Sequence, residues 1–107
     1  MADESREIDN IRTQLAPTLR ELGVEKAVLF GSTSRGTRSR RSDIDLLLVV
    51  KTEDRFFDRY DKFEKIYTEL KGRSVDMLIY TPSELDRIGH RPFIKQILSE
   101  GKTIYEP

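Results

Sequence analysis

The sequence predicts an α/β or α+β domain in which helices pack on a small mixed sheet. Three observations predict it. A stripe of leucine and isoleucine at helical spacing fills residues 3–22. Two apolar runs, 27–30 and 46–50, the second opened by Asp43-Ile44-Asp45, flank a polar glycine-containing segment and read as strands. An alternating run, 74–81, then lies between two further stretches with helical signals.

Taken in order, the first helix places Ile8, Ile11, Leu15, Leu19 and Leu22 on one face, with charges between them. Pro17 falls inside that period and is expected to kink or split the helix near Ala16. Gly23 is a natural stop. The strand Ala27–Phe30 leads at once into Gly31 and Ser32 and a turn into helix. The chain returns through Asp43-Ile44-Asp45 into a hydrophobic strand ending at Val50. A second helix is expected over 53–71, with Phe56, Tyr60, Phe63, Tyr67 and Leu70 facing the core and Gly72 ending it.

In the strand 74–81, Val75, Met77 and Ile79 alternate with Asp76, Leu78 and Tyr80, so Asp76 faces away from the first set. Thr81-Pro82-Ser83-Glu84 is a capping box with proline at the first helical position. That helix ends near Gly89, and a last helix runs from about Pro92 to Glu100 before Gly101. Residues 102–106 read as a closing edge strand. His90 is the sole histidine and sits in a loop, where nothing makes it a base.

The chain of 107 residues is expected to form one domain, 1–107, large enough for one ordinary core. Lys plus Arg and Asp plus Glu both total 19, so no global field favours nucleic acid. Cysteine is absent, which excludes a disulfide framework and a thiolate metal site. The amino terminus lacks the apolar run of a signal peptide and no stretch reaches membrane-spanning length, so a cytoplasmic protein is expected.

Chemistry concentrates between residues 27 and 50. Asp43 and Asp45 lie on one face of a strand, their Cα atoms about 6.5 to 7 Å apart. Both carboxylates can therefore lean onto one hard cation, and Mg²⁺ suits oxygen ligands that share it with phosphates. Without a cation, like charges about 4 Å apart cost roughly 4 kcal/mol at an effective dielectric near 20. Gly31-Ser32 at a strand-to-helix turn offers backbone N–H groups to phosphate, with the Arg35 guanidinium in reach. Arg38, Arg40 and Arg41 form a basic strip that suits a solvated loop, triphosphate, RNA or an acidic partner. A phosphate cradle beside paired carboxylates is the arrangement of metal-assisted nucleotidyl transfer.

Gly31-Ser32, ten residues, then Asp43-x-Asp45 resembles the G-S-x10-D-x-D signature of the DNA polymerase β-like nucleotidyltransferases. The short length is similar to the minimal nucleotidyltransferases (MNT) encoded beside HEPN-domain proteins. The resemblance implies a polymerase β-like palm in which three acids meet at one end of the sheet, Asp76 matching the third. Asp43, Asp45 and Asp76 are then implied to be catalytic and to hold two Mg²⁺ ions, with Asp76 accepting the proton of the attacking hydroxyl. Gly31, Ser32 and Arg35 are implied to bind the nucleoside triphosphate, ATP being the donor expected. The MNT likeness implies transfer of AMP to a tyrosine of a HEPN-type toxin ribonuclease, which the protein would neutralise as antitoxin. Two rivals stand beside it: an antitoxin that only covers its partner, and a transferase acting on a small molecule or tRNA.

Overall fold

The computed structural model describes residues 2–31 and 44–107, with side chains from residue 6 onward. Ser32, Arg35, Arg38, Arg40, Arg41 and Asp43, all named above, lie outside the described residues.

Helix α1 (Ala2–Glu21) leads into strand β1 (Val24–Phe30). Strand β2 (Ile44–Val50) follows, then a 3₁₀ turn (Phe56–Asp58) and two short helices, α2 (Arg59–Lys62) and α3 (Glu64–Glu69). Strand β3 (Val75–Tyr80), helices α4 (Pro82–Ile88) and α5 (Pro92–Glu100), and strand β4 (Lys102–Tyr105) complete the chain. The sheet has the order β3-β2-β1-β4. β1 is antiparallel to both β2 and β4, whereas β2 and β3 are parallel. Architecture is thus mixed α/β, as the sequence predicts. Among the described residues no helix is long and apolar enough to cross a membrane.

Strand β2 explains the layering. Its run Ile44-Asp45-Leu46-Leu47-Leu48-Val49-Val50 lacks hydrophobic alternation after the aspartate, which is what a strand covered on both faces requires. Ile44, Leu46, Leu48 and Val50 pack with β3 residues Val75, Met77 and Ile79. That layer is covered by Ile11, Leu15 and Leu19 of α1 and by Ile66 of α3. On the opposite face, Leu47 and Val28 meet Ile94 and Ile97 of α5.

Two helical expectations need correction. Of the kink or split expected at Pro17, the split does not occur, since α1 continues through it as one helix. Pro17 is exposed, and so is Thr13, whose carbonyl loses its usual partner. Water can satisfy that group, so the missing bond does not end the helix. Gly23, at φ +75°, ends it as expected.

The helix expected over 53–71 is instead three short pieces, broken at Phe63 with φ −99° and ψ 10°. Phe63, Ile66 and Leu70 are buried, but Tyr67 is exposed rather than core-facing. Ile66 carries no polar atom, whereas a buried Tyr67 hydroxyl would need a partner. Tyr60 meets that need by donating to the Met77 carbonyl at 2.7 Å.

Arg59 is buried and braces this broken segment. Its Nη1 donates to the Ile79 carbonyl at 2.9 Å, and Nε to the Asp54 carbonyl at 3.1 Å. The guanidinium also grips Glu84 with two bonds, 2.6 and 2.9 Å. Glu84 closes the predicted capping box with Thr81 as well. The Arg59 hydrogen bonds hold the Glu84 carboxyl down at about 2.

That depression makes a pH prediction. A carboxyl whose folded pKa lies below its ordinary value of 4.5 stabilises the fold above that value. The contribution fades as pH falls from about 4.5 toward 2. Urea unfolding of wild type should therefore lose on the order of 2 kcal/mol across that window from this group. Glu84→Gln should be weaker by about 2 to 4 kcal/mol at neutral pH and show a flatter acid limb.

Candidate functional site

Phe30 ends β1, and Asp45 stands opposite it in the antiparallel register with β2. On the other side of β2, Asp45 pairs in register with Asp76 of β3. Phe30, Asp45 and Asp76 thus form one row across three strands, at the end where β1 stops and β2 and β3 begin. The Ile44 amide donates to the Ser74 carbonyl at 2.8 Å, which fixes the two strand starts together. Neighbouring strands lie about 4.8 Å apart, so the two carboxylates stand side by side on one sheet face. Asp45 is half-buried and Asp76 exposed. Adjacent acids are an unfavourable cross-strand pair unless a cation is shared.

Gly31 follows β1 with φ +80°. That left-handed backbone favours glycine, and a Cβ at this position would collide with Oδ2 of Asp45. The turn backbone and the Asp45 carboxylate are therefore packed directly against each other, with no side chain between them.

Both line a cleft of about 330 Å³ between the sheet end and α5. Its far wall is built from Phe93, Gln96, Ile97 and Glu100. Ile94 and Ile97 anchor α5 by burial against Val28 and Leu47, which turns Phe93 and Gln96 to the cleft. Phe93 meets Phe30 edge-to-face, with ring centroids 6.0 Å apart and an interplanar angle of 81°. Gly101 lets the helix end sit this close, because a Cβ there would strike Val28 and the Ile97 carbonyl.

Of the residues singled out in the sequence, Gly31 and Asp45 share the cleft and Asp76 lies next to Asp45. Ser32, Arg35 and Asp43 lie outside the described residues. Among the described residues no three carboxylate, imidazole or thiolate groups converge on a metal position. Asp45 and Asp76 are two oxygen donors of the hard kind that suit Mg²⁺. The α5 wall was missed because phenylalanine and glutamine on a short amphipathic helix carry no catalytic signature. The available signal was the spacing of Phe93, Gln96 and Glu100, which share a helix face that Ile94 and Ile97 do not need.

Residues 12–105 match the family model described as nucleotidyltransferase domain. The chain is 34% identical over 83 residues to a candidate protein adenylyltransferase of Methanocaldococcus jannaschii, an overlap of 74% of this chain. The match spans 56% of that longer protein. Among solved structures, the chain resembles one of a toxin–antitoxin with AMP-PNP: TM-score 0.64, 22% identity, 90% of this chain and 73% of that one. It also resembles one from Shewanella oneidensis, a tri-AMPylated HEPN toxin in complex with MNT antitoxin. There the TM-score is 0.59 at 17% identity, over 94% of this chain and 73% of that one. At such identities the structural likeness is one of fold.

The Gly31 contact predicts a contrast between two glycines. Gly23→Ala meets nothing within 4 Å and should incur only backbone strain, about 1 to 2 kcal/mol in urea unfolding. Gly31→Ala should incur similar strain and also displace the Asp45 carboxylate. The ¹³C resonance of the Asp45 carboxyl should move in Gly31→Ala and stay in place in Gly23→Ala.

Proposed function

The chain belongs to the nucleotidyltransferase domain family, and on that premise we propose that it is a Mg²⁺-dependent protein adenylyltransferase. It moves AMP from ATP to a tyrosine hydroxyl of a HEPN-type toxin ribonuclease, whose antitoxin it is. The observation that carries this reading is the row Asp45–Asp76 at the sheet end, with the Gly31 turn packed against Asp45. The likeness to an adenylyltransferase candidate supports the reaction, and the likeness to a tri-AMPylated HEPN toxin in complex with MNT antitoxin supports the partner.

The residues divide the work. The Gly31 backbone, with Ser32 and Arg35, holds the β- and γ-phosphates and orients the α-phosphorus toward the sheet end. Asp43, Asp45 and Asp76 hold the two cations. Bound Mg²⁺ supplies neutralisation of the phosphate charge and of the departing pyrophosphate. Asp76, exposed at its strand start, takes the proton from the acceptor hydroxyl. The hydroxyl oxygen then bonds to the α-phosphorus while the bond from that phosphorus to the pyrophosphate oxygen breaks. The likeness to a tri-AMPylated HEPN toxin in complex with MNT antitoxin supports a macromolecular acceptor.

Incubation with [α-³²P]ATP and Mg²⁺, with and without the protein encoded by the adjacent gene, tests this. Label should appear on the neighbour and fall at least about 100-fold in Asp43→Asn/Asp45→Asn. EDTA should abolish it. A double mutant that still neutralises the neighbour in full, without labelling it, would instead mean an antitoxin that acts by covering.

A further inference from the structure

We propose that the α5 wall of the cleft is the subsite that selects the base of the donor nucleotide, with Phe93 as its stacking surface and Gln96 as its reader. The inference rests on the nucleotidyl-transfer reading and extends it to residues outside the motif.

Four observations carry it. Phe93 is 56% exposed although aromatic, and its ring stands over a cleft that also contains Asp45. Phe30 braces that ring edge-to-face, so it is held in place rather than free to collapse onto the sheet. One turn on, Gln96 presents an exposed carboxamide to the same cleft. A carboxamide accepts from N6–H and donates to N7 of adenine at once, whereas guanine offers two acceptors on that edge. Glu100 lies farther along the same wall, and its charge disfavours triphosphate there. The phosphates are thus left to the Gly31 turn and the nucleoside to the α5 wall.

The wall spans about 10 Å from Phe93 to Glu100, at 1.5 Å per residue. That accommodates a base and its ribose beside Asp45. The cleft joins the α5 wall to Asp45 and the Gly31 backbone, so it suits the donor, whose phosphates the motif takes. A macromolecular acceptor can approach from the exposed Asp76 side.

The test compares wild type with Phe93→Ala, Phe93→Tyr and Gln96→Ala, measuring transfer from ATP and GTP to the neighbouring protein. Phe93→Ala should raise KM for ATP between about 5-fold and 100-fold while kcat changes less than about 3-fold. Phe93→Tyr should restore the wild-type KM. Gln96→Ala should lower the ATP-over-GTP preference about 10-fold. Wild-type KM for ATP in both alanine variants, or a raised KM for the acceptor alone, would overturn the assignment.

Should wild type transfer from no nucleoside triphosphate, the transferase reading fails, and equilibrium binding of α,β-methylene ATP decides the subsite separately. Binding weakened in Phe93→Ala and restored in Phe93→Tyr would support it. Unchanged binding, or none by wild type, would overturn it. Phe93 and Gln96 are both exposed, so thermal melts should stay within a few degrees of wild type.

Discussion

The parallel register of β2 and β3 is the constraint from which the rest of the molecule follows. It sets Ile44 against Val75 and, one step on, Asp45 against Asp76. A parallel pair cannot be closed by a tight turn, so the chain between Val50 and Val75 must cross over one face of the sheet. That crossover consists of the 3₁₀ turn, α2 and α3, and its buried Phe63, Ile66 and Leu70 join α1 in covering one face of the sheet. A slip of one residue in β3 would send Asp76 into the layer now filled by Val75, Met77 and Ile79. The hydrophobic cost of that slip fixes the register, and the register places the acids.

The cleft has a different origin: two close approaches that a single methyl group would prevent. Gly31 allows its own backbone to press on the Asp45 carboxylate, and Gly101 allows the end of α5 to press on Val28. Between these contacts α5 is suspended over the sheet end, pinned by Ile94 and Ile97. Phe93, toward its start, is held by one edge against Phe30 and is otherwise left to solvent. The cleft is therefore a by-product of how tightly its two ends are packed.

Much of this was legible in the sequence, for local reasons. Alternation alone put Asp76 on the face opposite Val75, and the capping box at Thr81 and Glu84 appears as read. What was not legible depends on distant residues. No spacing could say that Asp76 stands in register with Asp45, since strand pairing is a non-local choice. With the break at Phe63, Ile66 is buried and Tyr67 exposed, an outcome that depends on the surrounding layer rather than on spacing. Nothing in the sequence sets Arg59 apart from the other charges of residues 53–71. Its burial has meaning only once Glu84, 25 positions later, arrives beside it.

Charge is handled in opposite ways at the two ends of β3. Near Tyr80, the Arg59 guanidinium is surrounded by two carbonyls and a carboxylate, so the fold itself meets the cost of burying it. Near Val75, the register sets two acids side by side, a cross-strand pair that is unfavourable in itself. A fold able to neutralise a buried guanidinium so completely had the means to avoid that juxtaposition. Under the nucleotidyl-transfer reading, a cation shared by the two acids would turn an unfavourable pairing into a binding site.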